Sequence, residues 1–466
     1  MSDKTFSRRQ FLAGTATLLV SAGCASGSVR KTTLAKSGFQ SPNEKLNIAS
    51  IGVGGKGFSD VVTCDTENIV ALCDVDWRNA AGAFRKYSKA KQYKDFRKML
   101  DECKTIDAVT ISTPDHMHAI AAMRCMERGK HVYVQKPLTH TVTEARILRE
   151  TAHRYGLATQ MGNQGAATNQ HREVCEMIWA GLIGQVREVH SWTDRPKNWW
   201  PQGIPNPLPA QPVPPELDWD LWLGPAPVRP YNSGYCPFNW RGWWDFGSGA
   251  LGDIACHNLS PVVKALRLEY PTRVECIHLK DANTQTYPTE SILRYEFPQR
   301  EHFDSLTLYW YDGLLKPKLP SGVQEDLELL NEKTGTMFVG EKGLIVMKGQ
   351  IEKNLLVVDG KIVEDYKKPD PIIPRLPHIP SKDKEEKQDF DRMHKQDWIL
   401  SCKTGSVSGS NFDHAGPLTE WVVMGNISLK FPNQKLEWDG PKMKFTAIKE
   451  ANRYVAKKYR KGWELT

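Results

Sequence analysis

Apolar and polar positions follow two regimes along this chain. From residue 46 to about 160, short apolar runs alternate with stretches of helical spacing. The runs at 46–51, 69–73, 107–112, 131–134 and 158–161 read as buried strands. Helices are predicted between them, at 119–128 before Gly129 and at 141–155 before Gly156. Strand and helix in strict alternation predict a doubly wound parallel sheet. A helix at 171–180 and a strand at 184–192 open the second regime. A Pro- and Trp-rich stretch without periodicity follows at 196–230; its tryptophans argue for an ordered, functional loop. Strand-like runs then recur at 273–279, 291–297, 305–311, 336–339, 344–347 and 355–358, which predicts a mostly antiparallel sheet. Residues 361–386 read as a surface excursion, and helices are predicted at 389–402, 417–429 and 448–459. The fold class is therefore α/β. A first domain spans 44–165. A second α/β domain with a large open sheet spans 166–466 and ends in a helical tail.

The first strand runs into Gly52-Val53-Gly54-Gly55-Lys56-Gly57, a G-x-G-x-x-G, and the second ends on Asp74, 22 positions after Gly52. In a βαβ unit Gly52 makes the tight turn, Gly54 lets backbone approach a pyrophosphate, and Gly57 lets helix and strand pack closely. Asp74 would accept hydrogen bonds from a ribose 2′-hydroxyl, which favours NAD over NADP. The glycines alone are a weak signal; the whole succession predicts a Rossmann dinucleotide site. Ligands bind such sheets at the carboxyl ends of their strands. Those ends carry Thr113, Pro114, His118, Gln135, Lys136 and Asn163.

Composition is that of an ordinary globular protein, 40% hydrophobic and 25% charged. The net charge is +8, but the first 45 residues hold most of the excess, which argues against a nucleic-acid surface. Those residues read as an address. Ser7-Arg8-Arg9-Gln10-Phe11-Leu12 is a twin-arginine pattern followed by a short apolar region. It predicts export of the folded protein to the periplasm. Cys24 follows Ser21-Ala22-Gly23 and is either a lipidation site or close to ordinary cleavage. Residues 1–43 are assigned to this signal and its linker. The ten cysteines are dispersed without C-x-x-C pairs and read as buried thiols, with no zinc pattern.

Asp253 and His257 lie four positions apart, on one face of a helix, after a Gly-rich, Trp-rich approach. A carboxylate beside an imidazole would orient it as a general base. Lys136 precedes Pro137 at a strand end, where it could stabilise oxyanion charge. The glycine loop, Thr113-Pro114 with His118, Lys136-Pro137 and Asp253-x-x-x-His257 together resemble the Gfo/Idh/MocA oxidoreductase family. The ending, Leu436-Glu437-Trp438-Asp439 with Tyr459-Arg460-Lys461-Gly462-Trp463, resembles a twin-arginine-exported branch of it. The resemblance implies a Rossmann domain, a second domain whose open sheet often mediates homo-oligomers, and a catalytic group of Lys136, Asp253 and His257. One departure matters: where the family usually has Glu-Lys-Pro, this chain has Gln135-Lys136-Pro137, which removes a negative charge near the nicotinamide.

The expected reaction is NAD-dependent oxidation of a sugar hydroxyl. Trp192, Trp199, Trp200, Arg241, Trp243 and Trp244 are candidate walls for the sugar. An exported enzyme meets no free NAD pool, so the cofactor is expected to stay bound. Two alternatives remain open: redox-assisted glycoside cleavage with NAD, and a non-catalytic sugar- or nucleotide-binding protein.

Overall fold

Strands that are covered on both faces read as unbroken apolar runs, and the first sheet consists of such strands. In the computed structural model, which describes residues 44–324, 328–349, 353–381 and 388–465, β4 and β5 are buried along their entire length. The elements run β1 (Asn47–Ile51), α1 (Lys56–Val62), β2 (Asn68–Cys73), α2 (Trp77–Lys86), β3 (Lys91–Tyr93), α3 (Phe96–Glu102), β4 (Ala108–Ile111), α4 (Asp115–Met126), β5 (His131–Gln135), α5 (Val142–Tyr155) and β6 (Thr159–Gly162). The strands are parallel, in the order β3-β2-β1-β4-β5-β6. Strand order reverses between β1 and β4, which opens a crevice at their carboxyl ends. The sequence pattern singled out none of α2, β3 and α3; a three-residue strand such as β3 carries too little periodicity to register.

The second part continues with α6 (Asn169–Trp179), β7 (Val186–Thr193), α7 (Trp219–Leu223), α8 (Gly249–Asn258), α9 (Ser260–Leu266), β8 (Arg273–Lys280), β9 (Glu290–Phe297), β10 (Leu306–Asp312), β11 (Thr334–Gly340), β12 (Leu344–Lys348), β13 (Asn354–Val358) and β14 (Lys361–Val363). It closes with α10 (Phe390–Thr404), α11 (Phe412–Ser428), β15 (Leu436–Asp439) and β16 (Lys444–Phe445). Ten strands form one sheet, β14-β13-β12-β11-β7-β10-β9-β8-β15-β16, antiparallel except for the β7–β10 pair. Burial alternates residue by residue along β9, so one face of this sheet is more thoroughly covered than the other. α11 covers that face, with Trp421 against Tyr295 and Phe297 at 5.4 and 5.6 Å.

α10 returns to the first sheet. Its Trp398, Ile399 and Cys402 pack with Leu46, Ile48, Ala108 and Tyr133. The aperiodic loop is ordered by its aromatics: Trp219 stacks on Trp222 at 4.7 Å, and both pack on Phe246. The predicted helix at 448–459 is reduced to a 3₁₀ turn, Lys449–Tyr454. The tail beyond it is fixed by side chains instead: Arg460 donates from Nε to the Gly224 carbonyl at 2.8 Å. The predicted excursion at 361–386 begins with β14 on the sheet edge. Nine cysteines, from Cys64 to Cys402, are buried free thiols. No helix among the described residues is long and apolar enough to cross a membrane. The twin-arginine pattern, Cys24 and the linker lie outside the described residues.

Candidate active site

The glycine loop is shaped by contacts that exclude side chains. Gly52 has φ +75°, and a Cβ there would meet the Ser112 carbonyl oxygen at 2.7 Å. A Cβ on Gly57 would lie 1.9 Å from the Gly52 carbonyl oxygen, so α1 can follow β1 this closely only with glycine. Asp74 ties the loop to the end of β2. Its Oδ2 accepts from the Val53 and Gly54 N–H groups at 2.8 and 3.2 Å, and its Oδ1 from the Asp76 N–H at 2.9 Å. A carboxylate has about four lone-pair directions, so one remains for a ribose hydroxyl. Burial pushes the Asp74 carboxyl up to about 6, against the pull of those N–H groups.

A cavity of about 280 Å³ runs from this loop to Arg241. Gly52, Gly54, Gly55, Lys56, Asp74, Thr113 and Pro114 line it, as the sequence predicts. Trp222 of the long loop, Phe238 and Trp240 beyond it, and Trp463 of the tail also line it. The cleft fits a dinucleotide on two counts. Glycines shape the turn that lines it, and Thr113 Oγ1 is buried there without a protein partner, whereas Asn163, expected to contact the cofactor, is wholly buried and does not line the cavity. A second cavity, about 260 Å³ beside His131 and His153, lies away from these groups.

Arg241 leads from the cavity to the charged centre. Its Nε is 3.2 Å from Asp253 Oδ1 and its Nη1 is 3.2 Å from Asp115 Oδ1. Lys136 Nζ donates to the Asp253 carboxylate and, at 2.9 Å, to the Asp253 carbonyl. Arg195 Nε stands 3.6 Å from Asp253 Oδ2. Burial alone would push Asp253 up, but Lys136, Arg241 and Arg195 hold it well below the usual carboxylate range. Burial lowers the Lys136 ammonium, against the pull of Asp253. Burial, then the charge of Lys136, drives the His257 imidazole well below its ordinary value. His257 is therefore neutral, and its buried Nδ1 has no partner.

The expected Asp253–His257 hydrogen bond does not form among the described residues. The two share a face of α8, but three cations claim the carboxylate, and a neutral imidazole is a weaker partner than an ammonium. Asp253 thus orients Lys136, and packing orients His257. His118 also differs from expectation. It is wholly buried, its ring nitrogens 2.7 and 2.8 Å from the Pro137 and Thr113 carbonyl oxygens, so it braces the cleft from behind. Val53 turns its side chain into the core and contributes its N–H to Asp74. Gln135 donates from Nε2 to Asp60 Oδ2 at 2.7 Å and accepts the Lys136 N–H at 3.3 Å. Gln135 thus ties the Lys136 backbone to buried Asp60, whose charge is met by Lys395 and Lys56 at 3.5 and 3.6 Å.

The six candidate sugar-wall residues separate. Trp192 and Trp243 are fully buried core residues and offer no face to a ligand. Trp244 lies on Tyr287 at 3.8 Å and donates to the Asn283 carbonyl, and Trp200 is buried. Of the six, Arg241 lines the cavity, and Trp199 stands outside it, half exposed. Sequence reasoning missed Arg195, Asp115, Asp60 and Lys395, of which only Asp115 adjoins a recognised motif, Thr113-Pro114. The C-terminal tail carried its own signal, and Trp463 does reach the cavity.

Two sequence profiles match this chain. The "Oxidoreductase family, NAD-binding Rossmann fold" covers residues 46–163, and the "Oxidoreductase family, C-terminal alpha/beta domain" covers residues 170–294. The chain belongs to the Gfo/Idh/MocA oxidoreductase family, and its first sheet is that family's NAD-binding Rossmann fold. Over 164 residues it is 29% identical to 4-carboxy-2-hydroxymuconate-6-semialdehyde dehydrogenase of Sphingobium sp., covering 34% of this chain and 52% of that protein. Over 155 residues it is 32% identical to alpha-N-acetylgalactosaminidase of Shewanella oneidensis, covering 31% of this chain and 34% of that protein. The chain thus spans about half or less of the length of these relatives. An inositol dehydrogenase homolog from Azotobacter vinelandii, solved with NADH and myo-inositol, superposes with TM-score 0.59 over 85% of this chain and 98% of that one, at 14% identity. That likeness establishes the fold.

Proposed function

We propose that this protein uses tightly held NAD to oxidise a hydroxyl of a sugar or sugar derivative. The observation that carries the reading is the Lys136–Asp253 ion pair, joined through Arg241 to the dinucleotide cleft, with His257 on the same helix and its buried Nδ1 unpartnered. Gly52, Gly54, Asp74 and Thr113 would hold the cofactor. When bound, NAD⁺ supplies hydride acceptance at its nicotinamide. His257 would accept the hydroxyl proton; its lowered basicity keeps the acceptor form populated across neutral pH, at a cost in proton affinity. Lys136, kept protonated by Asp253, would donate a hydrogen bond to the developing alkoxide and then to the carbonyl oxygen. Trp222, Phe238 and Trp463 would exclude water and slow cofactor release. A retained cofactor is also what export through the pattern at 7–12 would require.

A second reading, redox-assisted glycoside cleavage, is favoured by the similarity to an alpha-N-acetylgalactosaminidase. It uses the same oxidation, followed by elimination of the aglycone, addition of water and return of the hydride. The test purifies the full chain, measures nicotinamide released on denaturation, and then offers sugars and chromogenic glycosides. Bound-cofactor reduction without aglycone release supports the dehydrogenase, and aglycone release without net reduction supports the glycosidase. Absence of any bound or bindable NAD would sink both. Bound NAD that no carbohydrate reduces and no glycoside engages would leave the binding-protein reading.

A further inference from the structure

Of the tryptophans around the long loop, one is set apart. Trp200, Trp222 and Trp243 are at most 6% exposed, whereas Trp199 is 48% exposed. Slack in the chain does not explain this. The Pro196 carbonyl accepts the Trp199 N–H at 3.0 Å, the Arg195 carbonyl accepts the Gly313 N–H at 2.7 Å, and Trp200 donates from Nε1 to Gln202 at 2.9 Å. The indole is also held from behind. The Arg195 guanidinium lies over the Trp199 ring, 3.7 Å from its centroid. The same guanidinium stands 3.6 Å from Asp253 Oδ2, through its Nε. Trp199 is therefore one guanidinium away from the carboxylate that binds Lys136.

Arg195 covers one face of the indole, and the residue's exposure leaves the other for a ligand. A cation on one face fixes the ring at little cost in mobility. A flat aromatic face presented to water, next to a polar site, suits the C–H face of a pyranose. We infer that Trp199, fixed by Arg195, forms a distal subsite, and that the substrate is a glycoside or oligosaccharide whose second ring stacks there while its terminal ring is oxidised. The inference rests on the carbohydrate oxidation proposed above. Arg195 is in this scheme a positioning residue that joins the two subsites.

The test compares wild type, Trp199→Ala and Trp199→Phe as full chains carrying NAD. Bound-cofactor reduction is followed with glucose against maltose and cellobiose, and with galactose against lactose. The expected result is a KM for the preferred disaccharide about tenfold below that of its monosaccharide, a difference of about 1.4 kcal/mol. Trp199→Ala should erase that advantage, leave kcat and the monosaccharide KM unchanged, and be rescued by Trp199→Phe. Equal KM values for both classes in wild type, or an equal loss for both in Trp199→Ala, would overturn the subsite while leaving carbohydrate oxidation standing. If no carbohydrate reduces the cofactor, the proposed oxidation itself fails, and the subsite with it.

Discussion

The two ends of the cleft are built by opposite means. At the cofactor end, residues 52–57, 74 and 113–114 act mainly through backbone. Asp74 and three N–H groups lock the glycine turn, and its shape follows from what glycine permits. At the end proposed for the substrate, Lys136, Arg195, Arg241 and Asp253 meet through charged side chains drawn from four separate segments. The first end has no room for a Cβ at Gly52 or Gly57; the second depends on a balance of charges. A steric change should therefore damage one end, and a change in proton or hydrogen-bond chemistry the other.

The largest separation is expected for His257→Ala. The rate of bound-cofactor reduction should fall by about 10²–10⁴-fold, the usual scale for losing a general base, while nicotinamide content stays at the wild-type level. An unchanged rate would remove His257 from the chemistry. Gly57→Ala should do the reverse. Its Cβ would meet backbone at 1.9 Å, so the loop must shift. We expect a loss of about 2–3 kcal/mol in thermal unfolding and a preparation depleted of cofactor, with Lys136 and His257 untouched. Wild-type stability and full occupancy in that variant would show that the helix can move aside.

The smallest effect is a pH dependence that sharpens the contrast. A histidine of ordinary pKa, about 6.5, would lose roughly fourfold in its neutral form between pH 8 and pH 6. Burial and Lys136 hold His257 well below that value, so its neutral, proton-accepting form persists as the pH falls through this window. The reduction rate constant should accordingly change by less than about twofold from pH 8 to pH 6. An acid limb centred near 6.5 would mean that His257 is better solvated than the structure shows.

Much of the architecture was legible in the residues. The β1 turn and the six second-domain strand runs announced themselves because turns and pleats obey local rules: a positive φ, a period of two, an apolar run. The tail failed as a helix because Trp463 and Arg460 are held by contacts with residues far away in sequence. The site divides the same way. Lys136, Asp253 and His257 stood out as polar groups at a strand end and on a helix face. Their pairing did not. An i, i+4 spacing shows only that two side chains can meet, and Asp253 met Lys136 instead, because residues 117 positions apart were brought together with two arginines.

The tryptophans mark the limit most clearly. Trp192, Trp199 and Trp243 are the same residue type in similar aromatic surroundings, yet two are buried core and one is half exposed beside the site. By itself the sequence determined the Rossmann turn and the strand runs, since these depend on backbone sterics and local periodicity. Only the tertiary structure decided which cations hold Asp253, which acid Gln135 binds, and which indole is left open. Ion pairing and burial are settled by neighbours in space, and the folded sheets choose those neighbours.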